Sequence, residues 1–258
     1  MKVDAEVIDR ILLTAARVLT FDGQRPLTNA SGFFFKRGGQ LFLVTSRHVL
    51  WDEPSKHYPD RIEIELHVNS SNLAESTGFS IPLYHDGKSV WRQGRDTVGD
   101  VDVAVIQINQ AALPEDVAYH AFTPQHLVGS RTVEVGTSLL VVGFPLGFHD
   151  TLHHMPVVRQ AIVASSFSFR FQGQGYFLTD ARTHSGTSGA PVVMRATPEH
   201  PELGELPWIL LGVHSARLDI GGRDSGFDEA LGLNCAWYAD ILLTLTATEE
   251  QLMDRVVL

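Results

Sequence analysis

The residues best suited to chemistry lie in the run Thr179 to Val193, whose centre reads Gly186-Thr187-Ser188-Gly189-Ala190-Pro191. A serine between glycines in a tight turn can expose its hydroxyl while backbone N–H groups converge on one point. Acyl transfer needs that pairing of a nucleophile with donors placed where negative charge develops. Small neighbours also let a peptide approach the backbone closely. Many turns read Gly-x-Ser-Gly, so the loop alone does not fix the chemistry.

Two further segments carry suitable side chains. Phe42-Leu43-Val44-Thr45-Ser46-Arg47-His48-Val49-Leu50 reads as a strand that runs into a small polar turn, with a histidine opening the next apolar segment. Asp100-Val101-Asp102-Val103-Ala104-Val105-Ile106 places two carboxylates on one face at the head of an apolar strand. Here the chain resembles the trypsin-like serine peptidases of chymotrypsin fold, bacterial branch. Ala30-Ser31-Gly32-Phe33-Phe34-Phe35 resembles that family's entry strand, and Val141-Val142-Gly143-Phe144-Pro145-Leu146-Gly147 resembles a strand of its second barrel. The order His48, Asp102, Ser188, with steps of 54 and 86 positions, is that of the chymotrypsin fold.

The resemblance implies roles. Ser188 would be the nucleophile, His48 the general base and acid, and Asp102 the group that fixes the imidazole tautomer. Backbone N–H groups of Gly186 and Ser188 would form the oxyanion hole. Asp100 is the rival to Asp102, which directly precedes Val-Ala-Val. Thr187 stands where secreted trypsins carry the aspartate that pairs with a newly cut N-terminus, so the implied enzyme is active as made or restrained by other means.

The same resemblance suggests a substrate pocket. Arg182, six before the serine, argues against a preference for cationic side chains. Thr183 and His214 stand where glutamate-specific members hold the substrate carboxylate, which implies Glu, or Gln or Asp, at P1 (the residue before the cleaved bond). Ser215, Ala216 and Arg217 would form the edge that pairs with substrate backbone.

The elements that must position these residues follow from patterning. Short β-rich runs at 17–21, 32–35, 40–45, 61–68, 78–83 and 101–108 precede a second set at 132–135, 138–143, 157–168, 175–179, 190–194, 208–214 and 230–236. The expected fold is all-β: two six-stranded antiparallel barrels with a helix at each terminus. The expected division is an N-terminal helix at 1–16, a first barrel at 17–112, a linker at 113–130, a second barrel at 131–238 and a C-terminal helix at 239–258.

With 258 residues the chain can bury a sizeable core. A net charge of −10 argues against a nucleic-acid partner, which needs clustered cations. No apolar run is long enough to cross a bilayer. One cysteine, Cys235, rules out an internal disulfide framework, and the opening residues lack a signal peptide's apolar core, so the expected setting is cytoplasmic. No cofactor or metal is implied: His149, Asp150, His153 and His154 have suitable types but no zinc spacing, and read as a solvated loop. The expected partner is a protein or peptide substrate, with room for a separate regulatory or targeting partner. The rival from another class is a catalytically silent peptide-binding module.

Overall fold

Strong alternation of apolar residues drives the chain into antiparallel strands. The computed structural model describes residues 8–127, 133–198, 200–217 and 232–248. The strands are β1 (Ala15–Asp22), β2 (Arg25–Arg37), β3 (Gln40–Thr45), β4 (Arg61–His67), β5 (Ser76–Pro82), β6 (Tyr84–His85), β7 (Lys88–Ser89), β8 (Trp91–Arg95), β9 (Asp100–Ile108), β10 (Ser138–Gly143), β11 (Val157–Val163), β12 (Tyr176–Asp180), β13 (Pro191–Arg195), β14 (Trp208–Arg217) and β15 (Leu233–Tyr238). The described residues also form two one-turn helices, α1 (Arg47–Leu50) and α2 (Leu242–Leu245), and short 3-10 turns.

The second half closes as expected into a six-stranded barrel, β10-β11-β12-β15-β14-β13. The first half does not show the expected six-stranded barrel. It is a seven-stranded sheet in the order β5-β4-β1-β2-β3-β9-β8, with β6 and β7 as a separate hairpin. At the β8 edge the C-terminal segment packs instead of another strand. Arg92 donates to the carbonyl of Ala247 at 2.9 Å, and Gly94 lies against Ile241 and Leu245.

Among the described residues the terminal helical segments are short. At the N-terminal side the described part forms a 3-10 helix at Arg10–Thr14, which ends there because Ala15 already pairs with Phe33 in the sheet. Backbone pairing wins over the helical pattern there. At the other end the turn Ala239–Ile241 and α2 are helical, and residues 249–258 of the expected helix lie outside the described residues, as do 1–7. No described helix is long and apolar enough to cross a membrane.

Among the described residues four apolar clusters form, three of them large and one small, of Leu13, Leu73 and Met155. One fills the first sheet, with Phe34, Leu41, Leu43 and Ile64, and another fills the barrel, with Val141, Phe177, Val192 and Leu211. The third lies between the halves, joining Phe33, Phe35, Phe42 and Val44 to Leu210, Val213 and Trp237. The segment expected as a linker contributes Phe122 to this interface, fully buried and bonded through its backbone to Phe34 and Lys36 of β2. Of the expected strand at 132–135, Thr132 is outside the described residues and 133–135 form a loop leading into a turn.

Candidate active site

The register of the first sheet sets up the histidine. Thr45 at the end of β3 faces Ala104 of β9, so the chain leaving β3 through Ser46 and α1 runs beside the start of β9. That brings His48 onto Asp102. One carboxylate oxygen of Asp102 accepts the His48 backbone N–H at 2.8 Å, and the other lies 2.7 Å from Nδ1 of the ring. The Ser215 hydroxyl also donates to this second oxygen. Asp100 is exposed and pairs with Arg95 at 3.2 Å. Of the two carboxylates, Asp102 is the one that meets the imidazole.

These contacts shift both groups. Burial opposes protonation of His48, but the hydrogen bond and charge of Asp102, aided by Asp52, outweigh it and hold the imidazole above its usual value. Burial likewise disfavours the Asp102 carboxylate, yet its bonds from His48 and Ser215 and the histidine's charge hold it below the usual range.

Ser188 sits in the loop between β12 and β13, and Gly189 makes that loop possible. Its φ is +86°, and a Cβ there would stand 2.1 Å from the Ser31 carbonyl oxygen. The loop is stitched to both halves of the molecule. Gly189 donates to the His214 carbonyl at 2.7 Å, and Ser31 of β2 donates to the Ser188 carbonyl at 2.9 Å. The buried Ser31 hydroxyl donates to the Gly186 carbonyl at 2.7 Å and accepts from Phe144 N–H at 3.0 Å. Sequence reading placed Ser31 in a strand and missed this bracing, which spans 155 positions.

Ser188 and His48 line one cleft of about 500 Å³, together with Arg25, Asn29, Asp52 and Gly186. Within it the Ser188 hydroxyl donates to the Ser215 carbonyl at 2.9 Å, and among the described residues no hydrogen bond joins it to His48. The Thr187 amide is tied to the His184 carbonyl at 3.1 Å, whereas the amides of Gly186 and Ser188 have no acceptor among the described residues.

The chain's sequence decides its kinship. A family model described as the trypsin-like peptidase domain matches residues 30–197. The chain belongs to this family. No curated protein matches it significantly in sequence. Among solved structures this trypsin-like peptidase is similar to the serine endoprotease from Yersinia pestis, at 18% identity and a TM-score of 0.54, over 99% of this chain and 69% of that one. It is also similar to the Rv3671c protease from M. tuberculosis in its active form, at 14% identity and a TM-score of 0.50, over 96% of this chain and 89% of that one. At such identities the likeness concerns the fold.

The residues expected to line a substrate pocket are placed unevenly. Thr183 and His214 are buried, and Ser215 is buried with its hydroxyl committed to Asp102. Arg182 is exposed, and its carbonyl accepts from Arg159 at 3.0 Å. Ala216 continues β14. The histidine loop is not simply solvated. His154 lies 3.3 Å from Glu65, His149 lies 3.3 Å from Arg17, and His153 pairs with Asp150 at 2.8 Å, so the loop is pinned to the first sheet. Among the described residues no group of three or more His, Cys, Asp or Glu is arranged to hold a metal ion.

Proposed function

We propose that this trypsin-like peptidase is a serine endopeptidase that cleaves through His48, Asp102 and Ser188. The observation carrying the reading is the double engagement of Asp102 by His48, through both the ring and the backbone N–H. With Nδ1–H held by the carboxylate, Nε2 is left as the proton acceptor. A rotation of the Ser188 side chain, from the Ser215 carbonyl towards Nε2, completes the relay.

Ser188 Oγ attacks the scissile carbonyl as His48 takes its proton. The tetrahedral oxyanion is met by the Gly186 and Ser188 amides, each worth about 3 kcal/mol in comparable enzymes. His48 then protonates the leaving amine, giving the acyl-enzyme, and water repeats the sequence to release the acid. The β14 edge from Ser215 onward pairs with the substrate backbone. Thr183 and His214 receive a P1 side chain ending in an acid or amide: Glu, Gln or Asp.

The test is active-site labelling with a fluorophosphonate together with peptide hydrolysis. Modification at Ser188, and loss of both labelling and hydrolysis in Ser188→Ala, are the expected results. Peptide binding without labelling overturns the reading in favour of a silent binding module.

A further inference from the structure

The cleft beside Ser188 carries charge that the chemistry of the triad does not use. Its lining includes Arg25, Asp52, Lys56 and His57, besides His48 and Ser188. Two turns deliver these groups. Arg25 opens β2 just after the turn from β1. Residues 52–57 form a loop closed at its base by paired backbone bonds: Asp52 donates to the His57 carbonyl and His57 to the Asp52 carbonyl, each at 2.9 Å.

The charges on these turns are sorted. Asp52 accepts from the Ser55 backbone N–H at 3.2 Å and from the Ser55 hydroxyl. Glu53 bonds to Tyr58 and does not line the cleft. The His57 ring holds the Val49 carbonyl at 3.1 Å. Arg25 and Lys56 are exposed and line the cleft, and among the described residues neither is in an ion pair. Even Asp22, the register partner of Arg25 across the turn, does not pair with it. Lys56 also has a φ of +55°, a left-handed conformation that lysine adopts at a cost and glycine without one. A cation kept at a strained turn, on a chain of net charge −10, points to a use for the cation.

Direction along the cleft follows from the roles proposed above. The acyl half of a substrate lies along β14 with its P1 side chain towards Thr183 and His214, and neither Thr183 nor any residue of β14 lines this cleft. His48 protonates the leaving amine, so the leaving half passes His48 into the space lined by the start of β2 and the 52–57 loop. We propose that this space is a subsite for an acidic side chain in the first three residues after the cleaved bond, held by Arg25 and Lys56. The proposal rests on the peptidase reading. Two cations in one cleft outweigh the carboxylate of Asp52 and reverse locally the repulsion that an acidic chain exerts on an acidic peptide.

The experiment compares kcat/KM for fluorogenic peptides that are identical up to the cleaved bond and carry Glu, Gln or Lys in turn at each of the three positions after it. At one position or more the native chain is expected to favour Glu over Gln roughly 2- to 30-fold, the product of two exposed ion pairs, with Lys poorest. The preference shrinks as salt is raised. Arg25→Gln and Lys56→Gly are each expected to lower the ratio, the second while relieving the backbone, and the double variant to abolish it. Arg25→Glu combined with Lys56→Glu is expected to make Lys the favoured residue. Each ratio compares substrates on one sample, so it does not depend on how much of that sample is folded. Equal rates for Glu, Gln and Lys at all three positions, or a Glu preference that survives in the double variant, overturns the proposal, while fluorophosphonate labelling of Ser188 in the same sample keeps the peptidase reading. If Ser188 is not labelled and no peptide is cut, calorimetric binding of the same peptides decides. Glu-over-Lys binding that the double variant loses then upholds the acid-binding cleft while the peptidase reading falls, and equal binding overturns both.

Discussion

Replacing Asp102 with asparagine isolates what its carboxylate does. In the structure one oxygen accepts the His48 backbone N–H and the other accepts from the ring and from the Ser215 hydroxyl. An amide has only one oxygen to serve both sides. If that oxygen keeps the backbone N–H, the NH2 faces Nδ1, and the ring must carry its proton on Nε2, where it cannot receive one from Ser188. If the amide flips, its NH2 opposes the backbone N–H, at a cost of about 1–3 kcal/mol for an unpaired buried donor. The productive flipped form is then outnumbered roughly 5- to 150-fold. Loss of the negative charge that steadies the imidazolium brings the total towards about 10⁴ in kcat, the size of this effect in a comparable triad. Stopped-flow or continuous assay with a fluorogenic peptide measures it, and a low-field Nδ1–H proton resonance present in the native chain and absent in Asp102→Asn reports the tautomer. A loss of less than tenfold, with the fold intact, would refute the tautomer argument.

Other expectations follow from the same geometry. The His48 pKa lies above 6.5, so kcat/KM should fall with decreasing pH through an inflection above that value, and Asp52→Asn should move the inflection down. The pair also shapes stability. The raised His48 contributes below about 6.5 and fades as pH rises through its folded pKa, while the depressed Asp102 contributes above about 3.8 and fades as pH falls through its own. The melting-temperature deficit of Asp102→Asn should therefore be greatest between those two values. Gly189→Ala forces a methyl onto the Ser31 carbonyl at positive φ and should cost about 3 kcal/mol or more, roughly 6–12 °C in Tm by scanning fluorimetry. Ser31→Ala removes one donor and one acceptor from the nucleophile loop. It should lower stability by about 2–4 kcal/mol in denaturant titration and reduce kcat more than it raises KM.

Much of the barrel was legible because its strands alternate strongly and turn residues punctuate them. β8 was not, since polar Arg92, Gln93 and Arg95 leave it no apolar alternation, as suits an edge strand whose pairing is dictated by β9. The early helix was overread because Ile11, Leu12 and Ala15 share helical spacing, while the long partner strand β2 claims the backbone from Ala15 onward. The seven-stranded order of the first sheet had no local signal, and neither did the packing of the C-terminal segment against Arg92 and Gly94 at its β8 edge. His48 and Asp102 could be picked out because their strands announce them. Ser31 could not, because its importance lies in contacts made across 155 positions to the loop that carries Ser188. A serine two positions before a buried Phe-Phe-Phe run is a faint signal of such a role.

The bond from the Ser188 hydroxyl to the Ser215 carbonyl has a chemical corollary. At rest the nucleophile's proton is parked on a main-chain acceptor at the head of the β14 edge, where an incoming extended chain would seek the same oxygen. In the proposed peptidase, a peptide that laid down that first ladder contact would displace the hydroxyl from this acceptor and free it to turn towards the imidazole.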